Sequence, residues 1–145
     1  MWEKLRSAFS GRAKDARPAE TGTGKATILL VDDDPLVREL LKVQLTNRGY
    51  RILTATNGRE GVELAQKELP DAIVMDGNMP EMDGLEALKL LRRSRRTAST
   101  PVVMLTARIR EGDVLTGFRH GAQEYLTKPV TVEEVVNSLK TLLKS

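Results

Sequence analysis

The 145-residue sequence contains no cysteine. That excludes disulfides, a thiolate nucleophile and any Cys-ligated zinc. One histidine, His120, excludes a His cluster. Aromatic residues are scarce, with one Trp, two Tyr and two Phe. No apolar run approaches the ~18 residues of a membrane span, and the N-terminus lacks the apolar core of a secretory signal. A cytoplasmic location is therefore expected. Neither sign of charge dominates beyond residue 25. Residues 1–25 hold six basic and three acidic side chains, whereas residues 26–145 hold 17 of each. The net charge of +3 thus belongs to the N-terminal stretch and gives no support to a nucleic-acid-binding fold.

With 40% hydrophobic and 30% charged residues, the chain has enough apolar mass for one core. Two parts are expected, a basic extension over 1–25 and a folded domain over 26–145. Pro18-Ala19-Glu20-Thr21-Gly22-Thr23-Gly24 reads as the linker between them. Beyond it, short β-rich runs fall at Ile28–Val31, Ile52–Ala55, Ala72–Met75, Val102–Thr106 and Glu124–Thr127. Helical spacing fills the intervals. Val37, Leu40, Leu41 and Leu45 mark the first helix, with Gly49 as its stop. Val132, Val135, Val136, Leu139, Leu142 and Leu143 mark the last. Apolar strands alternating with helices predict a five-stranded parallel sheet covered on both faces, a doubly wound (βα)5 α/β fold.

In such folds the chemistry gathers at the carboxyl ends of the strands. Those ends carry Asp32, Asp33 and Asp34 after the first strand and Asp76 after the third. Thr106 closes the fourth strand and Lys128 follows the fifth. Two like charges 4 Å apart repel by about 4 kcal/mol at an effective dielectric near 20, so converging carboxylates need a cation. Mg²⁺ suits them, being hard and usually held by one or two carboxylates plus water and phosphate oxygens. An aspartate, a divalent ion, a lysine and a hydroxyl are the parts of phosphoryl transfer to a carboxylate. Asp34-Pro35 has a structural reading instead, as helix cap and first helical residue.

The segments "ILLVDDDP", "DAIVMDGNMPEMDGLE", "PVVMLTA" and "GAQEYLTKP" resemble, in order and spacing, the receiver domain of bacterial response regulators in two-component signalling. The resemblance covers 26–145 and implies a flavodoxin-like strand order of 2-1-3-4-5. It implies that Asp76 is the phosphoacceptor, supplied by a sensor histidine kinase or phosphotransfer protein. Mg²⁺ (or Mn²⁺) would be held by Asp33, Asp76 and the Asn78 carbonyl, with Asp32 acting through a metal-bound water. Thr106 and Lys128 would hold the phosphoryl oxygens, and Tyr125 would be the switch aromatic that follows Thr106. Near the site, Ala107 follows Thr106 and Lys128-Pro129 looks like the family's cis peptide. Met79-Pro80 and Asp83-Gly84 match the loop into the third helix, with Gly84 supplying freedom for a tight turn. Arg108, two residues beyond Thr106, is expected to affect phosphoryl lifetime, and His120 is expected to face solvent. The output would be a population shift on the face of the fourth helix, fifth strand and fifth helix, roughly 109–143, controlling a target protein or relaying phosphate. A regulatory phosphoacceptor acting without its own output domain is the expectation, not an enzyme.

Other readings fit less of the sequence. An aspartate-nucleophile phosphohydrolase would use Asp32-x-Asp34, but Leu36 stands where its motif wants Thr or Val, and only Glu133-Glu134 follow Lys128. A phosphorylation-independent scaffold is the other alternative. Gly22-Thr23-Gly24-Lys25 lacks the Gly and the Ser/Thr of a phosphate-binding loop, since positions 19 and 26 are alanine. Carboxylates in the first loop disfavour a flavin phosphate there. Arg92-Arg93-Ser94-Arg95-Arg96 reads as a solvated helix end, complementing the helix dipole, with no direct nucleic-acid contact expected. In the extension, Trp2, Leu5 and Phe9 share one helical stripe suited to a partner or an anionic membrane surface.

Overall fold

The computed structural model describes residues 25–79, 82–106 and 121–144. Pro80, Ala107, Arg108, His120 and the extension residues Trp2, Leu5 and Phe9 lie outside them, as does most of the expected fourth helix. The strands are β1 (Thr27–Val31), β2 (Arg51–Ala55), β3 (Ala72–Asp76), β4 (Val102–Thr106) and β5 (Glu124–Thr127). The described helices are α1 (Pro35–Asn47), α2 (Gly58–Glu68), α3 (Gly84–Arg93) and α4 (Val132–Leu143). All four strand pairings are parallel and the order is β2-β1-β3-β4-β5, as the sequence predicts.

Alternation along the strands divides the core into two layers. Leu29, Val31, Ile73, Met75, Val102 and Met104 face α2 and α3, where Val62, Ala65, Ala87, Leu88 and Leu91 meet them. Ile28, Leu30, Ala72, Val74, Val103 and Leu105 face α1 and α4, against Leu41, Leu45, Val135, Val136 and Leu139. Both faces are covered, which is why the central strands read as unbroken apolar runs.

Local chemistry starts and stops the helices. The Asp34 side chain accepts from the N–H groups of Leu36 and Val37, and Pro35 opens α1 with no N–H to lose. Gly49, at φ +100°, follows the α1 cap in a conformation that L side chains avoid. Asp83 with Glu86, and Thr131 with Glu134, close reciprocal capping boxes on α3 and α4.

Three expectations need correction. Leu40 does not join the α1 core face; it is exposed together with Leu36 and Val43, because Val37, Leu41 and Leu45 occupy the turn that meets the sheet. Arg92 is not a solvated cation. Its guanidinium is half-buried and donates to the carbonyls of Gly121 (2.7 Å) and Thr97 (3.1 Å) and to Gln123 Oε1 (3.2 Å). Burial lowers its pKa below the ordinary arginine value. Gly84, finally, does not serve a left-handed turn, since the described glycines at positive φ are Gly49 and Gly121. It is the first residue of α3 pressed against the end of β3, where an added Cβ would lie 2.5 Å from the Asp76 carbonyl oxygen.

Candidate functional site

Strand register sets the position of each functional residue. Val31 pairs with Met75, Asp76 with Leu105, and Thr106 with Thr127, so the carboxyl ends of β1, β3, β4 and β5 meet along one edge. Asp32 and Asp33 follow β1 there, Asp76 is the last residue of β3, Thr106 the last of β4, and Lys128 follows β5.

One carboxylate oxygen from each of Asp32, Asp33 and Asp76 lies within 4.8 Å of the other two. Asp32 and Asp76 are buried, at 0% and 2% exposure, while Asp33 faces solvent. Lys128 Nζ donates to Asp76 Oδ1 at 3.0 Å, and the Asn78 amide N–H donates to the same oxygen at 3.0 Å. The Lys128-Pro129 bond is cis. Asp32 Oδ1 accepts from the Asp34 amide at 2.9 Å, but its buried Oδ2 accepts no hydrogen bond among the described residues. A buried carboxylate oxygen left unpaired costs about 1–3 kcal/mol or more. Burial is the main reason that the Asp32 pKa is raised from 3.8 to about 6; the Asp34 amide lowers it, the negative Asp76 raises it, and Lys128 lowers it.

An orphaned oxygen beside two further carboxylates is a hard-oxygen donor set that fits Mg²⁺ or Mn²⁺. Asp34 is not part of it, because its side chain caps α1. That commitment argues against the phosphohydrolase reading, which needs the second aspartate of the pair. Tyr125 sits beside Met104 in the β4–β5 register and packs against the α2–α3 layer. Thr106, two residues beyond Met104, projects to that same layer's side of the sheet. The sequence reading missed Arg38, whose Nη1 donates to the Asp32 carbonyl at 2.7 Å. A long cation in the first turn after the cap, reaching back toward the helix start, was the available signal.

A doubly wound α/β domain with a cation-competent acidic cleft at the carboxyl edge of its sheet is the class that fold and site define. Residues 28–140 match the response regulator receiver domain, and the chain belongs to that family. Protein PilH of Pseudomonas aeruginosa is 39% identical over 118 residues, covering 81% of this chain and 98% of that protein. The DNA-binding dual master transcriptional regulator RpaA of Synechocystis sp. is 42% identical over 117 residues, covering 81% of this chain but 48% of RpaA. The chain spans about half the length of RpaA and of the other transcriptional regulators it matches. Among solved structures, the Vibrio cholerae chemotaxis protein CheY4 superposes with a TM-score of 0.79 at 35% identity, over 83% of this chain and 100% of that one. The receiver domain of the sensor histidine kinase PA1611 from Pseudomonas aeruginosa superposes with a TM-score of 0.77 at 30% identity, over 84% and 100% respectively. That structure has a magnesium ion coordinated in its active-site cleft. No described helix of this chain is long and apolar enough to cross a membrane.

Proposed function

We propose that this receiver accepts a phosphoryl group on Asp76 from a phosphohistidine of a sensor kinase or phosphotransfer protein. The observation that carries the reading is the meeting of Asp32, Asp33, Asp76 and Lys128 at one sheet edge, with the Asp32 oxygen unpaired. An Asp76 carboxylate oxygen attacks phosphorus as the phosphorus–nitrogen bond breaks, and the electron pair returns to the imidazole. No protein base is needed, because the nucleophile carries no proton. Asp32, Asp33, Asp76 and the Asn78 carbonyl are the residues that would hold Mg²⁺. The bound ion would neutralise the charge that gathers on the phosphoryl oxygens.

Lys128 is already on Asp76 and can move one bond outward to an incoming phosphoryl oxygen. Thr106 donates its hydroxyl to a second oxygen. Tyr125, on the same side of the sheet, responds to that displacement. The face built from the expected fourth helix, β5 and α4 then changes its affinity for a target protein. Residues 26–145 act as this regulatory unit.

Intact mass after exposure to an acyl phosphate tests the reading. One phosphoryl adduct is expected with Mg²⁺, and none without Mg²⁺ or in Asp76→Asn. An adduct indifferent to Asp76 would overturn it.

A further inference from the structure

Along α1, Leu36, Leu40 and Val43 are 77%, 56% and 46% exposed. Their i, i+4, i+7 spacing places all three on one face, turned away from the core residues Leu41 and Leu45. Single exposed leucines are ordinary on a protein surface, but a contiguous apolar stripe marks a contact surface. These are three of the four exposed large hydrophobic residues among the described residues. The stripe begins at the acidic edge, two residues after Asp34, and ends at Val43, about one turn short of the helix foot at Asn47.

The N-terminal extension enters the domain at that foot. Lys25 and Ala26 line one surface cleft with Arg48, Gly49 and Tyr50, directly after the end of α1. The Ala26 carbonyl accepts from the Arg51 amide at 2.9 Å. Ala26 also packs against the core layer that α1 covers. The extension therefore starts on the same side of the sheet as the stripe.

We propose that residues 2–9 dock through Trp2, Leu5 and Phe9 onto the Leu36–Leu40–Val43 stripe of the same chain. Length permits it. The residues between Phe9 and Lys25 number 15, giving a root-mean-square reach of about 20 Å for a flexible chain. That matches the length of the 13-residue α1, also about 20 Å. A tether whose typical reach equals the span gives the highest effective concentration. The patterns correspond too, an i, i+3, i+7 apolar stripe against an i, i+4, i+7 one. A helix as short as 2–9 is marginal alone in water, and an apolar face to lie on supplies the missing stabilisation.

The inference stands apart from the phosphoacceptor reading, because its test does not involve Asp76.

Trp2 is the chain's one tryptophan, so its fluorescence reads the contact directly. In the full chain at low micromolar concentration, Trp2 emission is expected to be blue-shifted and shielded from acrylamide relative to a peptide of residues 1–20. Leu36→Gln with Leu40→Gln is expected to return both readouts to the peptide values while leaving the circular dichroism melt unchanged. Peptide-like emission in the wild type, or shielding that survives the double substitution, would overturn the proposal. Shielding lost on dilution would assign the stripe to a second copy. Shielding that arises only on adding phosphatidylglycerol vesicles would assign the extension to a lipid surface. Either of these results would also overturn it.

Discussion

Asp32 sits at the point where structure and chemistry conflict. Its side chain is held in place by the Asp34 amide, yet one oxygen is buried with no hydrogen-bond partner among the described residues. Because burial raises its pKa from 3.8 to about 6, the folded state binds the proton more tightly than the unfolded chain does. Between about pH 4 and pH 6 the folded form then carries more protons, and stability falls as pH rises through that window before levelling off. Thermal midpoints measured with a chelator present should show this decline, and Asp32→Asn should flatten it. Added Mg²⁺ should raise the midpoint most above pH 6, where the carboxylate is free of its proton. At Gly84 the constraint is steric. Ala there would bring Cβ to 2.5 Å from the Asp76 carbonyl oxygen and 2.8 Å from Met104. A stability loss of about 1–3 kcal/mol in urea titration is expected, with slower phosphorylation because the strand end bearing Asp76 must shift.

Among the elements, α3 and β5 are joined through Arg92. One side chain on the last turn of α3 binds the Gly121 carbonyl, the Thr97 carbonyl and Gln123, and Gln123 Oε1 in turn accepts from the Val102 amide at the start of β4. Replacing Arg92 with Gln should cost about 1 kcal/mol by leaving part-buried carbonyl acceptors unpaired, measured by chemical denaturation. Its neighbour Arg93, exposed on the same turn, should tolerate the same change with little loss. Sequence patterns revealed the elements far better than such ties. Strand bounds were legible because two-sided burial forces unbroken apolar runs, and Asp34 announces its helix through local chemistry. Arg92 looked like every other arginine in its run, since the carbonyl it reaches is 29 residues away. Leu40 misled for a related reason, as apolar residues on adjacent turns do not say which of them meets the sheet. Within the site, the chain order of Asp32, Asp33, Asp76, Thr106 and Lys128 was legible from strand ends alone. The unpaired oxygen and the Arg38 contact were not, because both depend on how strands and helix are set side by side.

At the scale of the whole molecule, the sheet is uneven. All five residues of β3 are buried and the strand is paired on both sides, whereas β5 is paired on one side with every residue at least partly exposed. Amide hydrogen exchange should therefore be slowest across Ile73–Met75 and markedly faster across Glu124–Thr127, and nearly equal rates would contradict this picture. Asp76 is the last residue of the stiffest strand, and its amide-bearing neighbours on β4 are locked in the same register. A new charge placed on that residue meets a support that cannot bend. Like a load on the fixed end of a cantilever, the strain would be felt where the sheet is compliant, at its two margins, of which β5 lies on the β4 side that carries Thr106. On the proposed function, rigidity at Asp76 would thus be the fulcrum that sends the displacement outward.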